Sequence, residues 1–267
     1  MKASDLDDMS VNLSISSGVA TITMQRAEVH NAFDETLIAS LTQTLKVVDQ
    51  DSAVRVVVLA AAGKSFSAGA DLNWMKKMAT YTQQQNLADA NKLSDLMHTL
   101  NSLSKPSIAK VQGSAFGGGV GLIACCDIAV ASDVAQFCLS EVRLGLIPAV
   151  ISPYVIAAIG ERASRRYFLT AERFDSNEAL RLGLLHQVVT DDELDQVADD
   201  LCTKLKQAGP RAIAAAKKLI LDLQHKPLDG ALQHDLATRI ADLRASDEGQ
   251  EGLDAFLNKT KPNWIKN

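Results

Sequence analysis

Three short segments combine residue types that could act on a carbonyl group. Ser67-Ala68-Gly69-Ala70-Asp71 and Gly117-Gly118-Gly119 are small and glycine-rich, and each follows an apolar stretch. Glycines let a ligand approach the backbone closely, and a helix start exposes unpaired N–H groups with a partial positive charge. One donor from each segment would make an oxyanion hole for a carbonyl that gains negative charge. Taken singly, each segment reads as a tight turn; taken together with a third, they read as chemistry. The third is Glu141, in Phe137-Cys138-Leu139-Ser140-Glu141-Val142-Arg143-Leu144-Gly145-Leu146-Ile147-Pro148. A carboxylate directly after an apolar strand should lose part of its hydration. Its pKa then rises toward the range useful for proton transfer. The competing explanation is a surface glutamate that caps a helix or pairs with Arg143.

Other chemistries fail on spacing. Gly63-Lys64-Ser65 resembles the end of a phosphate loop, but the first glycine of that motif would fall on Val58. A dinucleotide fingerprint starting at Gly117 keeps Gly119 and then meets Leu122. Cys125 and Cys126 are adjacent, Cys138 and Cys202 stand alone, and no C-x-x-C pair occurs. Buried, reduced thiols are therefore expected rather than zinc or redox use. His98, His186, His225 and His234 have no metal-ligand spacing, and Arg162, Arg165 and Arg166 read as a solvated helix face.

These segments need a scaffold. Val11, Leu13 and Ile15 alternate with polar residues, as do Ala20, Ile22 and Met24 after Ser17-Gly18, which predicts a hairpin. Asp34 suits the N-cap of a helix carrying Leu37, Ile38, Leu41, Leu45 and Val48. Val54 to Ala61 is an apolar, β-branched run, the mark of a strand buried on both faces. A second long helix carries Leu93, Leu96, Met97, Leu100 and Leu103. Shorter strands are expected at 108–111, 128–131 and 135–139. Beyond about residue 175 strand signals fade. Helices are expected over 192–205, from Pro210 onward, and around Leu228 to Leu243. The reading is an α/β core over residues 1–200 and a helical region over 201–267, whose apolar stripes need either that core or a second subunit.

The 267 residues carry 32 acids and 27 bases, a formal charge of −5. That sign speaks against nucleic acid or an anionic membrane as partner. No apolar run nears the roughly 20 residues of a membrane helix. The acidic start (Asp5, Asp7, Asp8) looks like neither a signal nor a transit peptide, so a cytoplasmic location is expected.

Ser65 to Leu72 (SFSAGADL), Val111 to Asp127 (VQGSAFGGGVGLIACCD) and Phe137 to Pro148, in this order and separation, resemble the crotonase (enoyl-CoA hydratase/isomerase) superfamily over nearly the whole chain. The resemblance implies a spiral of strand-strand-helix turns followed by helices that pack trimers, often paired into hexamers. It implies an acyl-CoA thioester substrate and no metal or redox cofactor, coenzyme A being part of the substrate. Carried over, the oxyanion donors fall on the N–H groups of Ala70 and Gly118, and the acid/base glutamate on Glu141. The adenine-contacting loop falls on Ala68 and on Ala70, Asp71, Leu72 and Asn73. A basic position near the phosphates falls on Arg26, with His30 a second candidate.

Two-glutamate hydratases carry a second glutamate where this chain has Gly121, and the usual glycines after Pro148 are replaced by Ala149-Val150-Ile151-Ser152-Pro153. Gly121 would then leave room for a branched or carboxylated acyl chain, with Arg143, Lys76 and Lys77 as partners for a distal carboxylate. Trp74, Met75 and Met78 could line the acyl pocket or pack the core. Leu72-Asn73-Trp74-Met75, Gly160-Glu161-Arg162, Leu169 to Phe174 and Pro262-Asn263-Trp264 resemble bacterial methylglutaconyl-CoA and isohexenylglutaconyl-CoA hydratases. Those enzymes belong to leucine or acyclic terpene breakdown. The expected function is hydration of an enoyl-CoA. A Δ3–Δ2 enoyl-CoA isomerase working with one glutamate is the alternative in the same fold, and a non-catalytic RNA-binding homologue is the alternative of another class.

Overall fold

The computed structural model describes residues 10–224 and 226–265. Strands β1 (Val11–Ser16) and β2 (Val19–Met24) form the expected hairpin. Its turn residues Ser17 and Gly18 both have positive φ (49° and 81°), the backbone that matches the twist of a two-residue hairpin. Helix α1 (Glu35–Gln50) starts where Asp34 accepts the Leu37 amide at 2.8 Å, and it buries the predicted stripe from Leu37 to Val48. Strand β3 (Val56–Ala61) then pairs parallel to β2 and is covered on both faces.

The next turns each supply one strand to two different sheets. They run β4 (Ser65–Ser67), α2 (Leu72–Met78), α3 (Gln83–Asn101), β5 (Ser107–Val111), β6 (Ser114–Phe116), α4 (Gly118–Cys125), β7 (Ile128–Ser132) and β8 (Gln136–Cys138). Helix α5 (Ser152–Thr170), β9 (Phe174–Asp175), α6 (Ser176–Leu182) and β10 (Gln187–Val189) follow. The larger sheet has the order β1-β2-β3-β5-β7-β10, and the smaller β4-β6-β8-β9. The main core lies between the sheets and helices α1, α3, α4 and α5, with Phe33, Phe66 and Phe137 fully enclosed.

Two local features lie outside the elements expected above. Strand β10 lies beyond the point where strand signals fade; it is three residues long and pairs only at the sheet edge, with β7. Gly160, at φ 77° and ψ 160°, breaks α5 into two segments.

The last helices are α7 (Leu194–Lys206), α8 (Pro210–Leu223), α9 (Gly230–Ala245) and α10 (Asp247–Leu257). Pro210 occupies the first turn of α8, where its missing N–H has no intrahelical acceptor to lose. Helix α7 spans residue 200 and packs Cys202 against Val56, Val58 and Ile108 of the larger sheet. Helix α8 is tied down by Lys217, which is 9% exposed. Its ammonium meets Asp127 at 2.7 Å and donates to the Lys105 carbonyl at 3.3 Å. Asp127 also accepts from the Ser107 amide and hydroxyl. Losing one partner of a buried pair strands the other charge. Because the Asp127 side chain keeps 31% of its exposure, Lys217→Met should lower stability by about 2 kcal/mol, short of the ~3–5 kcal/mol of a sealed pair. Chemical denaturation measures it, and Lys217→Met/Asp127→Asn should recover part of the loss. All four cysteines are buried and free. No helix among the described residues is long and apolar enough to cross a membrane.

Candidate active site

The smaller sheet sets the geometry. β4, β6 and β8 are adjacent and parallel, with Ser65 opposite Ser114 and Ala115 opposite Phe137. Neighbouring strands lie about 4.8 Å apart, so the residues just past their carboxyl ends converge. Those residues are Ala70, Gly118 and Glu141, the three singled out in the sequence. Ligands favour the carboxyl ends of parallel strands because loop backbones and helix starts meet there.

Ala70 is held by Phe33. The Phe33 amide donates to the Gly69 carbonyl at 2.6 Å, and the Asp71 amide donates to the Phe33 carbonyl at 2.8 Å. In this parallel pairing the residue between the two contacts turns its own N–H the other way. The Ala70 amide makes no hydrogen bond among the described residues. Gly118 opens α4, so its N–H has no carbonyl one turn back. A Cβ on Gly118 would stand 2.9 Å from the Phe33 ring, and one on Gly69 would stand 3.2 Å from the Phe116 carbonyl oxygen. One aromatic residue thus backs both unpaired amides. Phe33 carried no signal in the sequence beyond its place before a helix cap.

Glu141 follows β8 at the start of a 3-10 turn (Glu141–Leu144). Its Oε1 lies 3.0 Å from where a Cβ on Gly117 would be, and Gly117 has φ 51°. That position tolerates a glycine alone, on conformation and on space. Glu141 Oε2 is buried without a hydrogen-bond partner among the described residues. Burial pushes the Glu141 carboxyl up from its ordinary value, opposed weakly by a backbone hydrogen bond. Arg143 is exposed and makes no ion pair among the described residues, so the ion-pair explanation of Glu141 does not hold. A buried acceptor with no partner is costly unless a water or substrate group arrives.

The expected nucleotide-binding residues divide. Ala68, Leu72 (74% exposed) and Asn73 face solvent. Asp71 is buried: its Oδ1 accepts the Asn73 and Trp74 amides and caps α2. Burial alone would raise the Asp71 pKa. Those two amides and Arg26 outweigh it and hold the carboxyl below the usual range. Arg26 is committed inward, to the Ala32 carbonyl at 2.6 Å, Asp34 at 3.0 Å and Asp71 at 3.3 Å. A phosphate would have to compete with two carboxylates for it. His30 is exposed, with Nδ1 3.1 Å from the Ser65 hydroxyl. Trp74 is buried in the core, and Lys77 pairs with Glu35. His186 accepts the Ala129 amide, a sheet contact, and His225 lies outside the described residues. Arg165 and Arg166 pair with Glu161 and Glu172.

One expectation is corrected. Gly121 does not leave room for an acyl chain. A Cβ there would stand 2.2 Å from Ile151 Cγ2 and 3.3 Å from Met97 Cε, so Ile151 fills that space. The plug comes from 30 residues along the chain, which local sequence does not reveal.

Comparison with known proteins places the chain in a family. A family model described as enoyl-CoA hydratase/isomerase matches residues 14–267. A short-chain-enoyl-CoA hydratase of Clostridium acetobutylicum is 31% identical over 251 residues, covering 93% of this chain and 95% of that protein. A 2,3-dehydroadipyl-CoA hydratase of Escherichia coli is 31% identical over 249 residues, covering 92% of this chain and 94% of that protein. The crystal structure of an enoyl-CoA hydratase from Shewanella pealeana matches with a TM-score of 0.96 at 47% identity, covering 99% of this chain and 100% of that one.

Proposed function

The chain is an enzyme of the enoyl-CoA hydratase/isomerase family with the α/β crotonase fold, and on that premise we propose that it adds water across the 2,3 double bond of a branched or carboxylated enoyl-CoA, such as methylglutaconyl-CoA. The observation that carries the reading is the convergence of two unpaired main-chain amides and one partly desolvated carboxylate at three adjacent strand ends.

The Ala70 and Gly118 amides hold the thioester carbonyl oxygen. Negative charge builds there as carbon 3 is attacked, and each such donor typically lowers the barrier by about 2.7–4 kcal/mol. Glu141 accepts a proton from the attacking water as the oxygen–carbon 3 bond forms and the π electrons move into the enolate. It then returns that proton to carbon 2, so the carboxylate is regenerated. The reaction has no net redox change, so coenzyme A enters as part of the substrate and no separate cofactor is needed.

Arg143, exposed and two residues from Glu141, is the group we assign to a distal carboxylate, and the exposed Lys76 is a second. The dicarboxylic acyl group in the name of the Escherichia coli relative supports this part. The apolar side chains exposed on α10, Phe256 (81%) among them, support packing into homotrimers or dimers of trimers.

Isomerisation between carbons 2 and 4 is the second reading. It is favoured by the single carboxylate at the glycine faces of α4. Spectrophotometric assays with crotonyl-CoA, methylglutaconyl-CoA and a 3-enoyl-CoA separate the outcomes. Methylglutaconyl-CoA should give a kcat/KM at least about tenfold above crotonyl-CoA, one lost interaction of about 1.4 kcal/mol. A preference for crotonyl-CoA overturns the carboxylated substrate. Conversion of the 3-enoyl ester alone overturns hydration.

A further inference from the structure

The segment that carries Glu141 crosses α4 twice. At the first crossing the Glu141 carboxylate lies over Gly117. At the second, Ile151 sits in the notch left by Gly121. The two glycines are one helical turn apart, with the Gly121 amide bonded to the Gly117 carbonyl at 3.2 Å. Between the crossings the chain has little support, since residues 143–147 are all exposed. It is nevertheless compact: the Leu146 amide closes back on the Glu141 carbonyl at 3.1 Å, and the Arg143 amide on the Ser140 carbonyl at the same distance. A displacement at the far end would therefore pass to Glu141. Ile151 is 2% exposed and, with the buried Pro148 before it, anchors that end, flanked by Val150 and the first turn of α5.

We infer that Ile151 is a positioning residue: by filling the Gly121 notch it fixes the return of the 141–151 segment against α4, and so holds the Glu141 carboxylate beside the Ala70 and Gly118 amides. The inference rests on Glu141 being the acid/base group. Ile151 is an apolar side chain, 2% exposed, and its role is to act through the segment. The fit is tight enough to be sensitive. A methyl group on Gly121 would meet both Ile151 Cγ2 at 2.2 Å and Ile151 Cβ at 2.8 Å, and one of the two elements would have to move by about an ångström or more. Met97 Cε, at 3.3 Å, is the end of a flexible side chain and can give way. An ångström of displacement at a reacting group can cost about a hundredfold in rate.

Gly121→Ala, Ile151→Ala and the double variant test this by steady-state hydration kinetics, with thermal melting as the check on folding. Gly121→Ala should lose about 10–100-fold in kcat, with KM held within about threefold because the 68–73 loop comes from another strand. Ile151→Ala, which introduces no clash, should lose about tenfold in kcat by loosening the segment. The double variant should regain most of the lost kcat, as the methyl introduced at position 121 takes the place of the missing Ile151 side chain. The pH–kcat profile should move to lower pH in each single variant, as Glu141 gains water, and return in the double. Wild-type kcat in Ile151→Ala overturns the inference. So does a folded double variant no faster than Gly121→Ala. If the wild-type chain hydrates no enoyl-CoA, the functional reading itself fails, whereas hydration that ignores positions 121 and 151 removes only Ile151's role.

Discussion

Glu141→Gln is expected to hydrate enoyl-CoA about 10²–10⁴ times more slowly than the wild-type chain, while still binding the CoA ester. The amide cannot take a proton from water, yet it keeps the shape that lies over Gly117. Isothermal titration with a saturated acyl-CoA separates the loss of chemistry from a loss of binding. Near-normal turnover would remove Glu141 from the mechanism.

The same variant carries a stability signature. Burial raises the Glu141 pKa in the folded chain above its ordinary 4.5, so the folded state binds that proton more tightly than the unfolded state. The resulting stabilisation is complete below the unfolded-state value and is lost as pH rises through the folded-state value. Glutamine does not ionise. Glu141→Gln should therefore melt above wild type at about pH 7.5 and alongside it at about pH 4. Wild-type kcat should rise with pH through the elevated pKa, because the ionised carboxylate is the form that accepts the proton. A melting difference that is the same at both pH values would contradict the desolvated carboxylate.

The second large effect concerns a donor that side-chain replacement does not usually reach. Gly118 is the first residue of α4, where proline is tolerated and where its missing N–H deletes the proposed donor itself. Gly118→Pro should lower kcat by about 10²–10³, the typical cost of one oxyanion donor. Gly118→Ala is the control. It keeps the amide but carries the same Cβ, which would press on the Phe33 ring from 2.9 Å. The alanine variant reports the steric effect of the Cβ, and the further loss in the proline variant reports the N–H together with the ring carbon that replaces it. Equal rates for the two would mean that this amide stabilises nothing that develops in the transition state.

How far the sequence carries depends on the length of the element. The hairpin, the Asp34 cap, the doubly covered β3 and Pro210 at the start of α8 were legible because each leaves a periodic or stereochemical mark. The sheet that positions the site left almost none. β4, β6 and β8 are three residues each, too short to show alternation. Ala70, Gly118 and Glu141 could be chosen for their chemistry and for their family resemblance, but their convergence became visible only through the parallel pairing. The glycines misled where space was inferred from a missing side chain, because whether a notch is open depends on a distant residue, here Ile151. Arg26 shows a related limit: its charge suggested a phosphate, and only the fold reveals that two acidic residues, Asp34 and Asp71, lie against it.

A crystal structure with a bound enoyl-CoA or its unreactive saturated analogue tests the central claim most directly. The thioester oxygen is expected within about 2.7–3.1 Å of both the Ala70 and Gly118 nitrogens, with carbons 2 and 3 facing the Glu141 carboxylate. A thioester oxygen bound elsewhere, or reached by only one of these amides, would contradict it.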